Sequence, residues 1–131
     1  MVNNGSFFCL QSIRKMIYYE GEDKWSVECV NEAAEKEILK LSRDLKAKFW
    51  HISELLMQFG PLNVGFPYTR HLEGQLWEMR LKGKDNIARS MYILSENRRI
   101  VILHTFIKKT QKTPITYLKT AKARLKEMEN D

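Results

Sequence analysis

Six cations stand where cations are scarce. Arg70, Arg80, Lys82, Arg89, Lys108 and Lys109 fall in or beside strand-like apolar stretches, and strands ordinarily avoid Lys. Pleating places Glu78, Arg80 and Lys82 on one face of a strand and Trp77, Met79 and Leu81 on the other. Arg89 is nearly alone as a charge, among Ala88, Ser90 and Met91. Lys108 and Lys109 are adjacent, so at most one of them shares that face. Guanidinium and ammonium groups gathered this way suit a phosphodiester. Arg can hold two nonbridging oxygens at once, and a fixed cation opposes the charge that grows in the transition state. RNA carries its own nucleophile, the 2′-OH, so cleaving it requires only alignment, charge stabilisation and proton transfer. The same spacing also fits a solvated strand face or a surface that docks a protein.

Other chemistries find no support in the residue pattern. There is no GxSxG elbow, no Walker loop, no HExxH and no Cys/His metal spacing. His51, His71 and His104 lie far apart with no recurring partner and read as structural or surface residues; His71 stands out because it sits among basic residues. Cys9 and Cys29 form no CxxC pair and read as two reduced thiols. No metal or cofactor is expected. The net charge is +6, and it is uneven: residues 68–131 hold fourteen Lys and Arg against seven Asp and Glu. A basic C-terminal half points to an anionic partner, whether RNA, DNA or an acidic protein.

The elements that must position these side chains follow from periodicity. The length of 131 residues, with 44% of them apolar, suits one domain. No apolar run is long enough to span a bilayer or to form a signal peptide, so a soluble, cytoplasmic protein with no membrane partner is expected. Residues 1–15 lack periodicity and read as an extension, leaving 16–131 as the domain. A first strand is expected near Lys15–Glu20, turned by Gly21-Glu22-Asp23. Val27, Val30, Ala34, Ile38 and Leu41 predict a helix from an N-cap at Ser26. Leu45, Phe49, Ile52, Leu55, Leu56 and Phe59 predict a second helix over Arg43–Phe59, stopped by Gly60-Pro61. Residues 60–74 are rich in Gly and Pro and read as a loop. Strands are expected over Gln75–Lys82, Asn86–Leu94 and Arg99–Lys108 as an antiparallel meander. Thr113 as N-cap and Pro114 at the first helical position open a last helix to about Met128. The order predicts an α+β domain: an antiparallel sheet with an N-terminal helical hairpin and a C-terminal helix.

The segments Tyr68-Thr69-Arg70-His71-Leu72, Leu76-Trp77-Glu78-Met79-Arg80 and Arg89-Ser90-Met91-Tyr92, then the run from Leu103 to Pro114 with its FIKKTQKTP, closely resemble the phage-derived HigB-like toxins of the RelE superfamily. The resemblance covers about Met16 to Met128 and is strongest after residue 66. It implies a RelE-like fold and metal-independent cleavage of mRNA on the ribosome. It also implies inhibition by a helix-turn-helix antitoxin of the HigA type, in a toxin–antitoxin complex expected to be a heterotetramer. By position it assigns catalysis to Arg80, Arg89, Lys109 and the neighbouring Lys108, with Tyr117 or Tyr92 as the tyrosine that relatives carry near the last helix. RNA contacts would come from Arg70, His71, Lys82, Lys84 and Lys112. Glu78 stands where RelE has a cation. A basic module that binds RNA or an antitoxin without cutting is the alternative reading.

Overall fold

The computed structural model describes residues 15–18, 24–109 and 114–130. Residues 1–14, the turn at 21–23, and Lys112 and Thr113 lie outside the described residues.

Two short strands open the chain, β1 (Lys15–Tyr18) and β2 (Ser26–Cys29), and the first helix, α1, spans only Glu32–Leu39. The helix expected from an N-cap at Ser26 therefore starts five residues later. Val27 precedes Val30 by three, as in a helix, but Val27 and Cys29 are the buried pair, two apart, as in a strand. The true N-cap is Asn31, whose Oδ1 accepts from the Ala34 N–H at 2.8 Å. Burial pushes the Cys29 thiol well above its ordinary pKa, with Glu35, Glu37 and Glu28 adding to it, so this cysteine is a packing residue. The second helix, α2 (Arg43–Phe59), has the expected bounds. Gly60 ends it at φ 88°, donating its N–H to the Leu56 carbonyl.

A 3₁₀ turn, Pro61–Asn63, leads to β3 (Thr69–Glu73), in a stretch expected to be loop. It is an edge strand made by pairing with β4 (Leu76–Lys82), and its burial does not alternate, so the sequence carries no period-two signal for it. β5 (Ile87–Ser95) and β6 (Arg99–Lys108) follow. The last helix, α3, spans Ile115–Glu129, with Pro114 as N-cap in extended backbone rather than at the first helical position. Among the described residues the sheet has six strands in the order β1-β2-β6-β5-β4-β3. All neighbours are antiparallel except β2 beside β6, so the expected antiparallel sheet carries one parallel pair. The chain between them runs through α1, α2 and strands β3 to β5, ample length for a parallel pairing.

The architecture is α+β and RelE-like, with helices on both faces of the sheet. Helices α1 and α2 pack against Val27, Met79, Leu81, Ala88, Tyr92 and Ile102. Helix α3 packs through Ala121 against Met91, Ile93, Val101, Leu103 and Phe106. No helix among the described residues is long and apolar enough to cross a membrane.

One irregularity sets which side chains face α3. Tyr92 pairs with Ile102, but Met91 pairs with His104, so Leu103 is an extra residue on β6. The bulge turns His104, Phe106 and Lys108 onto the face that carries Met91 and Arg89. Without it, Lys108 would point toward α2.

Helix α3 is fixed to this face by one carboxylate. Glu37 Oε1 accepts from the Thr105 N–H, from Arg124 Nη1 and, at 3.0 Å, contacts His104 Nδ1. Arg124 Nη1 also donates to the Leu103 carbonyl at 2.9 Å. Burial opposes ionisation of Glu37, but the bonds from His104, Arg124 and Thr105 outweigh it and hold the carboxyl below its ordinary value of 4.5. A carboxyl depressed in the folded state stabilises fully above its unfolded pKa, and that stabilisation is lost as pH falls through the folded value. Glu37→Gln should therefore cost about 1–3 kcal/mol at neutral pH. The gap to the parent should close as the pH drops below the ordinary value of 4.5. Urea melts across pH check this; a gap independent of pH would contradict it.

Candidate functional site

The site is built around Glu78, a carboxylate with 0% exposure. β3 and β4 pair Arg70 with Glu78, while β4 and β5 pair Glu78 with Met91 and Arg80 with Arg89. This register brings three guanidinium groups to one oxygen. Glu78 Oε2 lies 3.4 Å from Arg70 Nε, 3.4 Å from Arg80 Nη1 and 3.6 Å from Arg89 Nε. These contacts are long, and only Arg80 makes a hydrogen bond to the carboxylate among the described residues. Arg89 donates through Nη1 to the Ala88 carbonyl at 3.0 Å, while its buried Nε has no acceptor among the described residues.

The electrostatics are those of an undercompensated cation cluster. Burial lowers the pKa of Arg89; Glu78 opposes this, and Arg80 and Arg70 reinforce it. Lys108 is lowered by burial and then by Arg89, with Glu78 opposing and Arg70 and Arg80 adding. Lys108 shares the strand face of Phe106, the partner of Arg89, and so stands in the field of these arginines. One carboxylate faces four cations, so a bound anion would relieve repulsion as well as gain contacts.

The candidate residues from the sequence divide accordingly. Arg70, Arg80 and Arg89 converge on Glu78, and Lys108 lies on the same face of the sheet. Lys109 is exposed just past the end of β6. Tyr117 stacks on Phe106 with ring centroids 3.8 Å apart, and Phe106 is the strand partner of Arg89. Tyr92 packs in the core beneath the first two helices, where burial, and then Glu78, raise its hydroxyl above the ordinary value. His71 lies in the β3–β4 hairpin, its Nε2 2.8 Å from the Gly74 carbonyl and its ring against Trp77, away from Arg70. Lys84 is exposed in the β4–β5 turn, where its N–H donates to Asp44 Oδ2 at 2.6 Å. Lys82 lines the cleft described next.

β4 pairs with β3 only as far as the bond from Arg80 N–H to the Tyr68 carbonyl, then runs on to Lys82. At that open edge a cleft of about 470 Å³ is bounded by Arg80, Lys82 and Arg89 together with Lys48 and His51 of α2 and Tyr68. Asp44 and Leu45 hold α2 in place against the β4–β5 turn. A Cβ at Gly83 would stand 2.6 Å from Asp44 Oδ2 and 2.9 Å from Leu45 Cδ2, which is why the turn carries glycine there. The sequence reading gave Lys48 and Tyr68 no site role and took His51 as a structural or surface residue. The one available signal was that Lys48 and His51 flank the apolar stripe of α2 three residues apart.

Removing one partner of a buried ion cluster leaves the rest uncompensated. Glu78→Ala should lose about 3–5 kcal/mol of stability, and Arg70→Ala, at 52% side-chain exposure, under about 1 kcal/mol. Chemical denaturation of both variants tests this; equal losses would show that Glu78 does not anchor the cluster.

No curated protein matches the chain in sequence. A family model does match over residues 36–126, from within α1 to near the end of α3, and it is described as phage derived protein Gp49-like (DUF891). The match covers both the arginine cluster and its Glu78, and the chain belongs to the phage-derived Gp49-like family.

Proposed function

We propose that this protein is the toxin of a type II toxin–antitoxin system, an mRNA endoribonuclease of the HigB-like kind that acts on the ribosome and stops translation. The convergence of Arg70, Arg80 and Arg89 on a single carboxylate, with Lys108 beside them, carries this reading. Such a cluster is an anion site on a basic half-chain, next to an open cleft.

In the proposed reaction the 2′-OH attacks the adjacent phosphorus and the P–O5′ bond breaks. The products are a 2′,3′-cyclic phosphate and a 5′-hydroxyl, with one proton leaving the 2′-oxygen and one arriving at the 5′-oxygen. Arg80 and Arg89 hold the nonbridging oxygens and meet the charge that grows on them. Lys108 supplies a further cation, and Lys109, just past the strand, a contact along the RNA backbone. A helix-turn-helix antitoxin would cover the basic face, in a complex with two copies of each chain. The alternative, RNA or antitoxin binding without cleavage, draws on the burial of Tyr92 in the core, out of reach of a substrate.

Induction of this protein alone should arrest bacterial growth, and Arg89→Ala should relieve the arrest. In a cleavage assay on translating ribosomes Arg89→Ala should lower the rate roughly 10²-fold or more, the usual scale for one lost transition-state stabiliser. Arg89→Lys should also be impaired, because a point charge does not replace a bidentate fork. Thermal melts confirm folding. A folded Arg89→Ala variant that cuts at the parental rate would remove the site assignment.

A further inference from the structure

We infer that the cleft seats a single-stranded RNA segment, with Phe66 as the platform on which one base stacks beside the phosphate held by Arg80 and Arg89. The inference rests on the RNA-directed reading above and adds how the substrate strand is gripped.

Phe66 is 75% exposed, an apolar ring presented to water at the cleft. The Arg80 guanidinium lies over it, 5.0 Å from the ring centroid. The ring is thus adjacent to a group assigned to the phosphate, as a base is adjacent to its own phosphate. Tyr68 continues the aromatic wall, held edge-on by His51 at 6.0 Å between centroids. Among the described residues, those lining the cleft include Lys48, Arg80, Lys82 and Arg89 and no Asp or Glu. An aromatic face beside a groove of cations is how proteins hold single-stranded nucleic acid: the cations follow the backbone and the ring takes a base. A duplex offers no free base face, because its bases are already stacked on one another. The volume of about 470 Å³ falls within the range of small-ligand sites and suits a nucleotide unit rather than a helix. An acidic protein segment would satisfy the cations but would leave the exposed ring unused.

The test uses a seven-residue 2′-O-methyl RNA carrying 2-aminopurine, which lacks the nucleophile and so reports binding apart from cleavage. The parental protein should bind the single strand, quench the 2-aminopurine emission, and bind the same strand in a duplex more weakly. Phe66→Ala should weaken binding roughly ten-fold or more and abolish the quenching, with an unchanged melt because the ring is exposed. Phe66→Trp should restore both. Parental affinity in Phe66→Ala would overturn the inference, as would a parental preference for duplex or no binding of the strand. So would a loss confined to capture of a helix-turn-helix protein, which would make this a protein-docking face. Failure of the enzyme reading would appear separately, as unmodified ribosome-bound mRNA left intact by a protein that still binds the modified strand.

Discussion

A carboxylate buried in the middle of a sheet is destabilising by several kcal/mol unless cations face it. Glu78 is such a group, and the registers of β3, β4 and β5 meet its need by aligning Arg70, Arg80 and Arg89 around one oxygen. The arrangement works in both directions. Three guanidinium groups at this spacing would repel one another without Glu78, and Glu78 would be an orphan charge without them. Because the carboxylate is outnumbered and its contacts are long, it holds the arginines in place without consuming their capacity for a further anion.

The remainder of the fold can be read as support for that cluster. The bulge at Leu103 turns Phe106 and Lys108 onto the arginine face. Tyr117 then stacks on Phe106, and Glu37 locks α3 over that face through Arg124 and Thr105. On the other side of the sheet, Asp44 ties α2 to the β4–β5 turn, which brings Lys48 and His51 alongside the open edge of β4. A rigid sheet carries the cations, and the cleft forms where that sheet loses its neighbouring strand.

Much of this was legible in the residues, and the misses have physical causes. The 17-residue α2 carries a long apolar stripe and a Gly-Pro stop, so both bounds were legible. The start of α1 was not, because Val27 and Val30 satisfy a helical spacing while the open edge of β6 takes the segment as a strand. β3 is defined by its partner, not by its own pattern. Arg80 and Arg89 were conspicuous as strand cations, and Glu78 was visible on the face of Arg80. Their meeting at one oxygen required the cross-strand register, which no local pattern encodes. Phe66 and His51 join the cleft only through tertiary packing, about which spacing along the chain is silent.

The central claim is that this cluster promotes attack by the 2′-OH of RNA. The most direct measurement is the chemistry of the ends left on ribosome-bound mRNA by the purified protein. The account predicts 5′-hydroxyl ends facing 2′,3′-cyclic phosphates or their 3′-phosphate hydrolysis products. Products ending in a 3′-hydroxyl would contradict it, because that outcome requires water as the nucleophile and a different leaving oxygen.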